Sequence, residues 1–88
     1  MMTNEQANGL FSEYQKTHDV KIRNKLVENY MYIAEILAKK FAGRGVEYDD
    51  LLQVASEALI LGVEKFDPSL GNQFTTYVTP TITRKIKN

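Results

Sequence analysis

From Val20 to Ala42 the chain places Leu26, Tyr30, Ile33, Leu37 and Phe41 at spacings of three and four, and Val27, Ala34 and Ala38 widen the same stripe. Apolar residues at that period line one side of an α-helix, so this segment is committed to a long helix buried along one face. Asp19 is placed to cap its first turn, and the "GRG" of Gly43 to Gly45 supplies the stop. A chain of 88 residues whose strongest pattern is one long amphipathic helix has to bury that stripe against other helices.

Three further helical pieces are predicted. Glu5 to Lys16 is short, with Leu10, Phe11 and Tyr14 to one side and Gly9 weakening its start. Asp49 to Lys65 carries two adjacent stripes, Leu51, Ala55, Ala58 and Gly62 beside Leu52, Leu59, Val63 and Phe66. Such a helix is expected to be buried on one side and to offer a further apolar strip on another. The "DPSLGN" of Asp67 to Asn72 reads as a turn, and a last helix is expected from Thr75, as cap, to about Lys87. Pro80 predicts a kink or an irregular turn within it. The expectation is an all-α, compact three- to four-helix single domain over 1–88, with residues 1–19 as N-terminal helix and loop and 20–88 as its body.

The totals exclude several classes. There is no cysteine, hence no disulfide and no thiolate metal site. The polar start "MMTNEQANGL" has no signal-peptide core, and no run approaches a membrane span, so a soluble, cytoplasmic chain without membrane contact is expected. Eleven basic and eleven acidic residues cancel, so the molecule as a whole does not advertise a polyanion partner. Their distribution is uneven: Glu47, Asp49 and Asp50 cluster in mid-chain, and after Asp67 there are only cations, Arg84, Lys85 and Lys87. Those cations also suit an ordinary helix C-terminus.

Catalysis has little to work with. His18, the single histidine, lies in the polar loop "KTHDV" and reads as solvated. The acidic cluster lacks the spaced ligands and central glycine of a calcium loop and reads as helix capping, so no metal and no cofactor are expected. No nucleophile–base pair or phosphate-cradling loop is present, and an enzyme is not expected.

Binding remains, with two candidate surfaces. Asp50, Gln53, Ser56 and Ile60 step along the third helix as one face, polar at its start and apolar at its end. The pattern fits an ordinary amphipathic boundary as well as a docking strip for a partner helix anchored by Ile60. The second surface surrounds the turn, where Phe66, Phe74 and Tyr77 bracket Asn72, Gln73, Thr75 and Thr76. The rings fit a packed core. They equally fit a platform on which unpaired bases stack, with amides and hydroxyls at the base edges and cations on the backbone. One flipped base needs such a ring and a few polar groups.

The ordered set "DDLLQ", "GVEKFDP" and "FTTY", within "GRGVEYDDLLQVASEALILGVEKFDPSLGNQFTTYVTPTI", resembles the second conserved region of bacterial RNA polymerase sigma factors. The preceding "RNKLVENYMYIAEILAKKFAGRG" is similar to the first subsection of that region, and the resemblance covers Ile22 to Ile86. "QVASEALI" and "FTTYVTPTI" resemble the stress-response and sporulation members. Pro80 and Thr81 stand where housekeeping members usually carry a tryptophan pair, Asn72 where another aromatic is frequent, and Val54 where many relatives have glutamate.

The resemblance implies a transcription initiation domain. By motif position, Asp50, Gln53, Ser56 and Ile60 would hold the clamp helices of the largest subunit of RNA polymerase core. Phe66, Phe74 and Tyr77 would form or support a pocket for an extruded base of the non-template strand of the promoter −10 element. Gln73, Thr75 and Thr76, with Asn72 beside them, would supply polar contacts, and Arg84, Lys85 and Lys87 would meet phosphates. An anti-sigma factor is a further implied partner, and a full-length member continues into further helical domains. The alternative is a small helical interaction module that touches no nucleic acid and treats Phe74 and Tyr77 as core. A helix-turn-helix duplex reader lacks support, since the turn is long and no helix shows a basic base-reading face.

Overall fold

Thr3 and Gln6 start the first helix by exchanging hydrogen bonds. Gln6 N–H donates to Thr3 Oγ1 at 3.1 Å, and Thr3 N–H donates to Gln6 Oε1 at 3.0 Å. This reciprocal cap satisfies two backbone donors at once. The computed structural model describes residues 1–87; Asn88, the last residue of the expected domain, lies outside the described residues. Helix α1 spans Asn4–Thr17 and buries Ala7, Phe11 and Tyr14. It closes at His18, whose backbone is left-handed (φ 54°) and whose N–H donates to Tyr14 O at 2.7 Å. The histidine of the loop is thus the residue that ends this helix.

Helix α2 spans Val20–Phe41, and Asp19 Oδ1 accepts its Lys21 N–H at 2.9 Å, as expected of a cap. It buries Leu26, Val27, Tyr30, Ile33, Ala34, Leu37 and Ala38, the stripe read from the sequence. Phe41 ends half-buried, its ring flanked by the ammonium groups of Lys40 and Lys87 at 5.6 and 5.8 Å. Gly43 and Gly45, at φ 87° and 90°, then take the left-handed conformations that reverse the chain.

Helix α3, Tyr48–Lys65, packs along α2 and buries Leu51, Ala55, Ala58, Leu59, Gly62 and Val63. The acidic cluster does not cap it by hydrogen bonding: Glu47 stands at the cap position without a side-chain bond. Asp49 and Asp50 lie in the first turn, where their charge favours the positive end of the helix dipole. Of the expected second stripe, Leu59, Val63 and Phe66 are buried and Leu52 half-buried, so most of that strip is spent on the core.

A 3-10 turn, Pro68–Leu70, is held by Asp67, whose Oδ1 accepts from Ser69 N–H at 2.9 Å and Ser69 Oγ at 2.6 Å. Those two hydrogen bonds hold the Asp67 carboxyl below the usual carboxylate range. A depressed folded-state pKa means that they favour the turn above the ordinary carboxylate range and are lost as pH falls. Helix α4 spans Phe74–Lys87. It starts one residue before the expected cap, and Thr75 lies inside its first turn. Pro80 does not interrupt it. The hydroxyls of Thr79, Thr81 and Thr83 donate to the carbonyls of Thr75, Tyr77 and Thr79 at 2.8, 3.2 and 2.9 Å, adding side-chain bonds around the donor that proline lacks.

α3 and α4 cross closely at Gly62. A β-carbon there would come within 2.7 Å of Val78 Cγ2 and 3.9 Å of Tyr77 Cε2. Alanine would regain about 1 kcal/mol of helix propensity, so valine is the cleaner probe. Gly62→Val is expected to cost about 1–3 kcal/mol, read as a lower denaturation midpoint, because the β-branched Val78 has little rotamer freedom to yield. An unchanged midpoint would contradict the close crossing.

Candidate nucleic-acid and protein interface

The end of α3, the turn and the start of α4 gather the aromatic side chains into one cluster. Phe74 is its hub, with ring centroids 4.5 Å from Tyr30, 5.0 Å from Phe11, 5.3 Å from Phe66 and 6.4 Å from Tyr77. Phe66 lies 4.8 Å from Phe11 and 5.5 Å from Tyr77. α1 is tied to this corner by Gln15 Nε2, which donates to Phe66 O at 2.8 Å and satisfies a carbonyl at the α3 terminus.

Burial sorts the rings. Phe66 and Phe74 are 3% and 4% exposed and belong to the core. Phe66 is surrounded by the rings of Phe11, Phe74 and Tyr77, so of the two expected roles, forming the pocket or supporting it, its position suits support. Tyr77 is half-buried at the edge of the core, so of the three it is the residue that reaches solvent. Thr75 is half-buried, and Asn72, Gln73 and Thr76 are exposed.

Beyond Tyr77, the outward side of α4 runs Thr76, Pro80, Arg84 and Lys87 at spacings of four, four and three, all exposed, with Lys85 beside them. The helix contains no carboxylate. Arg84 lies seven residues from Tyr77 on nearly the same side, about 10 Å along the axis. A half-buried tyrosine followed by cations on an acid-free face fits a base with its backbone phosphates running down the helix. Lys87 also covers Phe41, so its stem is partly committed to α2.

A cleft of about 260 Å³ opens beside Phe74, and Tyr77 is not among its lining residues. Asn4 and Asn8 of α1 face Asn72, Gln73 and Thr75 across it, and Tyr30 and Phe74 also line it, with Pro68 and Gly71 at the turn. Burial pushes the pKa of the Tyr30 phenol up, with the nearby Tyr32 adding to the effect, so Tyr30 stays a neutral hydroxyl. The contribution of α1 was not read from the sequence, where that helix carried only a short stripe.

On α3 the expected face runs from exposed to half-buried residues. Asp50 and Gln53 are exposed. Ser56 is half-buried and its hydroxyl donates to Met31 Sδ at 3.6 Å, so it is turned towards α2 rather than outward. Ile60 is half-buried and packs on the core, whereas Leu61 is 44% exposed. The outward line that Asp50 and Gln53 begin continues through Glu57 to Leu61 at steps of four. The Arg23–Glu64 ion pair at 3.2 Å joins α2 and α3 near the far end. Among the described residues no group of three or more histidine, aspartate or glutamate side chains converges on a metal position, and no helix is long and apolar enough to cross a membrane.

Residues 26–88 match the family model of Sigma-70 region 2. RNA polymerase sigma-B factor of Bacillus subtilis (strain 168) is 31% identical over 86 residues, covering 98% of this chain and 33% of that protein. RNA polymerase sigma-F factor of Bacillus licheniformis is 38% identical over 69 residues, 78% of this chain and 27% of that one. RNA polymerase sigma factor SigA of Synechocystis sp. (strain ATCC 27184 / PCC 6803 / Kazusa) is 38% identical over 61 residues, 69% and 14%. The chain thus spans a third or less of the length of these relatives.

Proposed function

Because the chain belongs to the Sigma-70 region 2 family, we propose that it docks on RNA polymerase core through the outer face of α3 and captures unpaired non-template bases of the promoter −10 element beside Tyr77. The family is non-enzymatic, and the function is binding alone. The observation that carries the DNA half is the half-buried Tyr77, packed beside the buried rings of Phe66 and Phe74 and followed by an acid-free, cation-bearing helix face. The partner half rests on Asp50, Gln53, Glu57 and Leu61, with Ile60 as support from beneath. Relatives named sigma-B and sigma-F favour the stress-response or sporulation group. The reading includes an anti-sigma protein as a further partner, carried by the resemblance.

Energetics divide the labour. A domain with net charge zero gains little from releasing counterions, so its affinity for free duplex is weak. Unstacking a base costs a few kcal/mol, which the domain meets only when docking holds it at high effective concentration beside the promoter. Fluorescence anisotropy with a short promoter duplex is expected to show weak, unselective binding by the chain alone. Tight and sequence-selective binding there would contradict the division.

Single-strand capture by the complex with polymerase core tests Tyr77. Tyr77→Ala is expected to lose about 1–3 kcal/mol of affinity, roughly 5- to 150-fold, whereas Tyr77→Phe keeps the ring and most of the binding. Equal binding by parent and Tyr77→Ala would remove the ring from the site.

A further inference from the structure

We infer that the outward face of α2 is a docking strip for an acidic amphipathic helix of a partner protein, seated on Tyr32 and Ile36 and held at its two ends by Lys25 and Lys40. None of these residues belongs to the proposed polymerase or DNA contacts, so the inference stands apart from them.

Helical register makes the strip. Lys25, Asn29, Tyr32, Ile36 and Lys40 follow one another at spacings of four, three, four and four, which puts them on one side of α2. At 3.6 residues per turn, Ile36 stands about 140° around the axis from Met31, the residue that receives the Ser56 hydroxyl of α3. The strip therefore faces away from α3.

Two features mark it as a surface that a partner covers. The first is apolar exposure. Ile36 is 60% exposed, more than any other apolar residue within the α-helices, and exceeds even Leu61. A single exposed apolar side chain is ordinary. Here the exposed Tyr32 stands one turn before it, and Met1 and Met2 line a cleft with Lys25 and Asn29 beyond that. The second feature is charge. Lys21, Lys25, Lys39 and Lys40 are exposed on the outward side of α2 against Glu28 and Glu35, four positive to two negative. Among the described residues none of the four lysines makes an ion pair. The two glutamates border the strip on one side and do not enter it. The Lys40 ammonium lies 5.6 Å from the Phe41 ring centroid, a contact that fixes its charge near the end of the strip.

An apolar centre with a cation at each end selects its occupant. DNA phosphates match the lysines and leave Ile36 in water. A second copy of the same strip sets lysine against lysine at both ends, which disfavours a two-fold pair. An acidic amphipathic helix satisfies the whole strip, with apolar side chains at steps of three and four on Tyr32 and Ile36 and carboxylates at the lysines. Lys25 and Lys40 are 15 residues apart, about 22 Å along the axis, so the partner segment spans about four turns.

The test is fluorescence anisotropy of the full chain with two labelled synthetic helical peptides of roughly 18 residues. They share one leucine ridge and carry either glutamates or lysines at both ends. The glutamate peptide is expected to bind at least about tenfold more tightly than the lysine peptide. Ile36→Asp is expected to lose about tenfold or more of that binding, and Lys25→Glu/Lys40→Glu to reverse the preference. All three positions are exposed, and unchanged circular dichroism verifies each fold. Equal binding of the two peptides by the parent overturns the inference, as does a preference that the double variant leaves in place or binding that Ile36→Asp leaves undiminished. Displacement of the glutamate peptide by a short DNA duplex overturns it in favour of nucleic acid. A parent dimer in sedimentation equilibrium that Ile36→Asp dissolves overturns it in favour of a second copy.

Discussion

Truncating Phe74 to alanine is expected to cost the domain about 3–5 kcal/mol of stability. Its ring sits among Phe11, Tyr30, Phe66 and Tyr77, and it is 4% exposed, so the cavity left behind has rigid walls contributed by α1, α2 and the end of α3. A domain of 88 residues has about 4–13 kcal/mol in total at typical values per residue, so the change removes a large share. Chemical denaturation of the parent and Phe74→Ala measures it; a loss under about 1 kcal/mol would mean that the aromatic cluster is not the core. The outcome also governs how DNA-binding data are read. A Phe74 variant that loses DNA binding has lost its fold, whereas a Tyr77 variant tests the surface itself.

The second large effect belongs to α3. Asp50→Ala combined with Gln53→Ala is expected to weaken capture of the chain by RNA polymerase core by about 2–4 kcal/mol, roughly 30- to 1000-fold, because both side chains are exposed polar groups at the head of the proposed contact. Leu61→Asp should act in the same direction, by placing a charge at the exposed apolar end of the line. Ile60→Ala instead should act mainly on stability, since Ile60 packs against the core. A pull-down with purified core separates these cases. Capture undiminished by the double change would favour a helical interaction module over the polymerase reading.

The helices were legible because their signals are local and strong. The Leu26-to-Leu37 stripe, the Asp19 cap and the glycines after Phe41 each follow from spacing or backbone chemistry, and all are present. From sequence Pro80 reads as a kink or an irregular turn; the helix runs on through it without an irregular turn, and neighbouring threonines add hydroxyl bonds to its carbonyls. The acidic cluster misled in detail: it supplies charge to the α3 terminus without a capping bond.

The candidate site was legible as a place and less so as a surface. Periodicity put Phe66, Phe74 and Tyr77 at one corner, but it cannot say which ring faces out. That depends on Phe11 and Tyr30, distant in sequence, which take the inner positions. For the same reason Ser56 bonds to Met31, and Leu61 is more exposed than its half-buried neighbour Ile60. The amide cleft joins residues 4 and 8 to 72 and 73, a pairing that no local pattern announces.

The central claim is that a half-buried tyrosine beside a buried aromatic cluster holds an unpaired nucleotide once the domain is anchored to polymerase. Anisotropy of a short labelled single strand carrying the promoter −10 sequence, titrated with core polymerase plus the chain, tests it most directly. Tight binding is predicted for that complex, with at least about tenfold weaker binding for core alone, for the chain alone and for the complex made with Tyr77→Ala. Equal affinity of the parent and Tyr77→Ala complexes would contradict it.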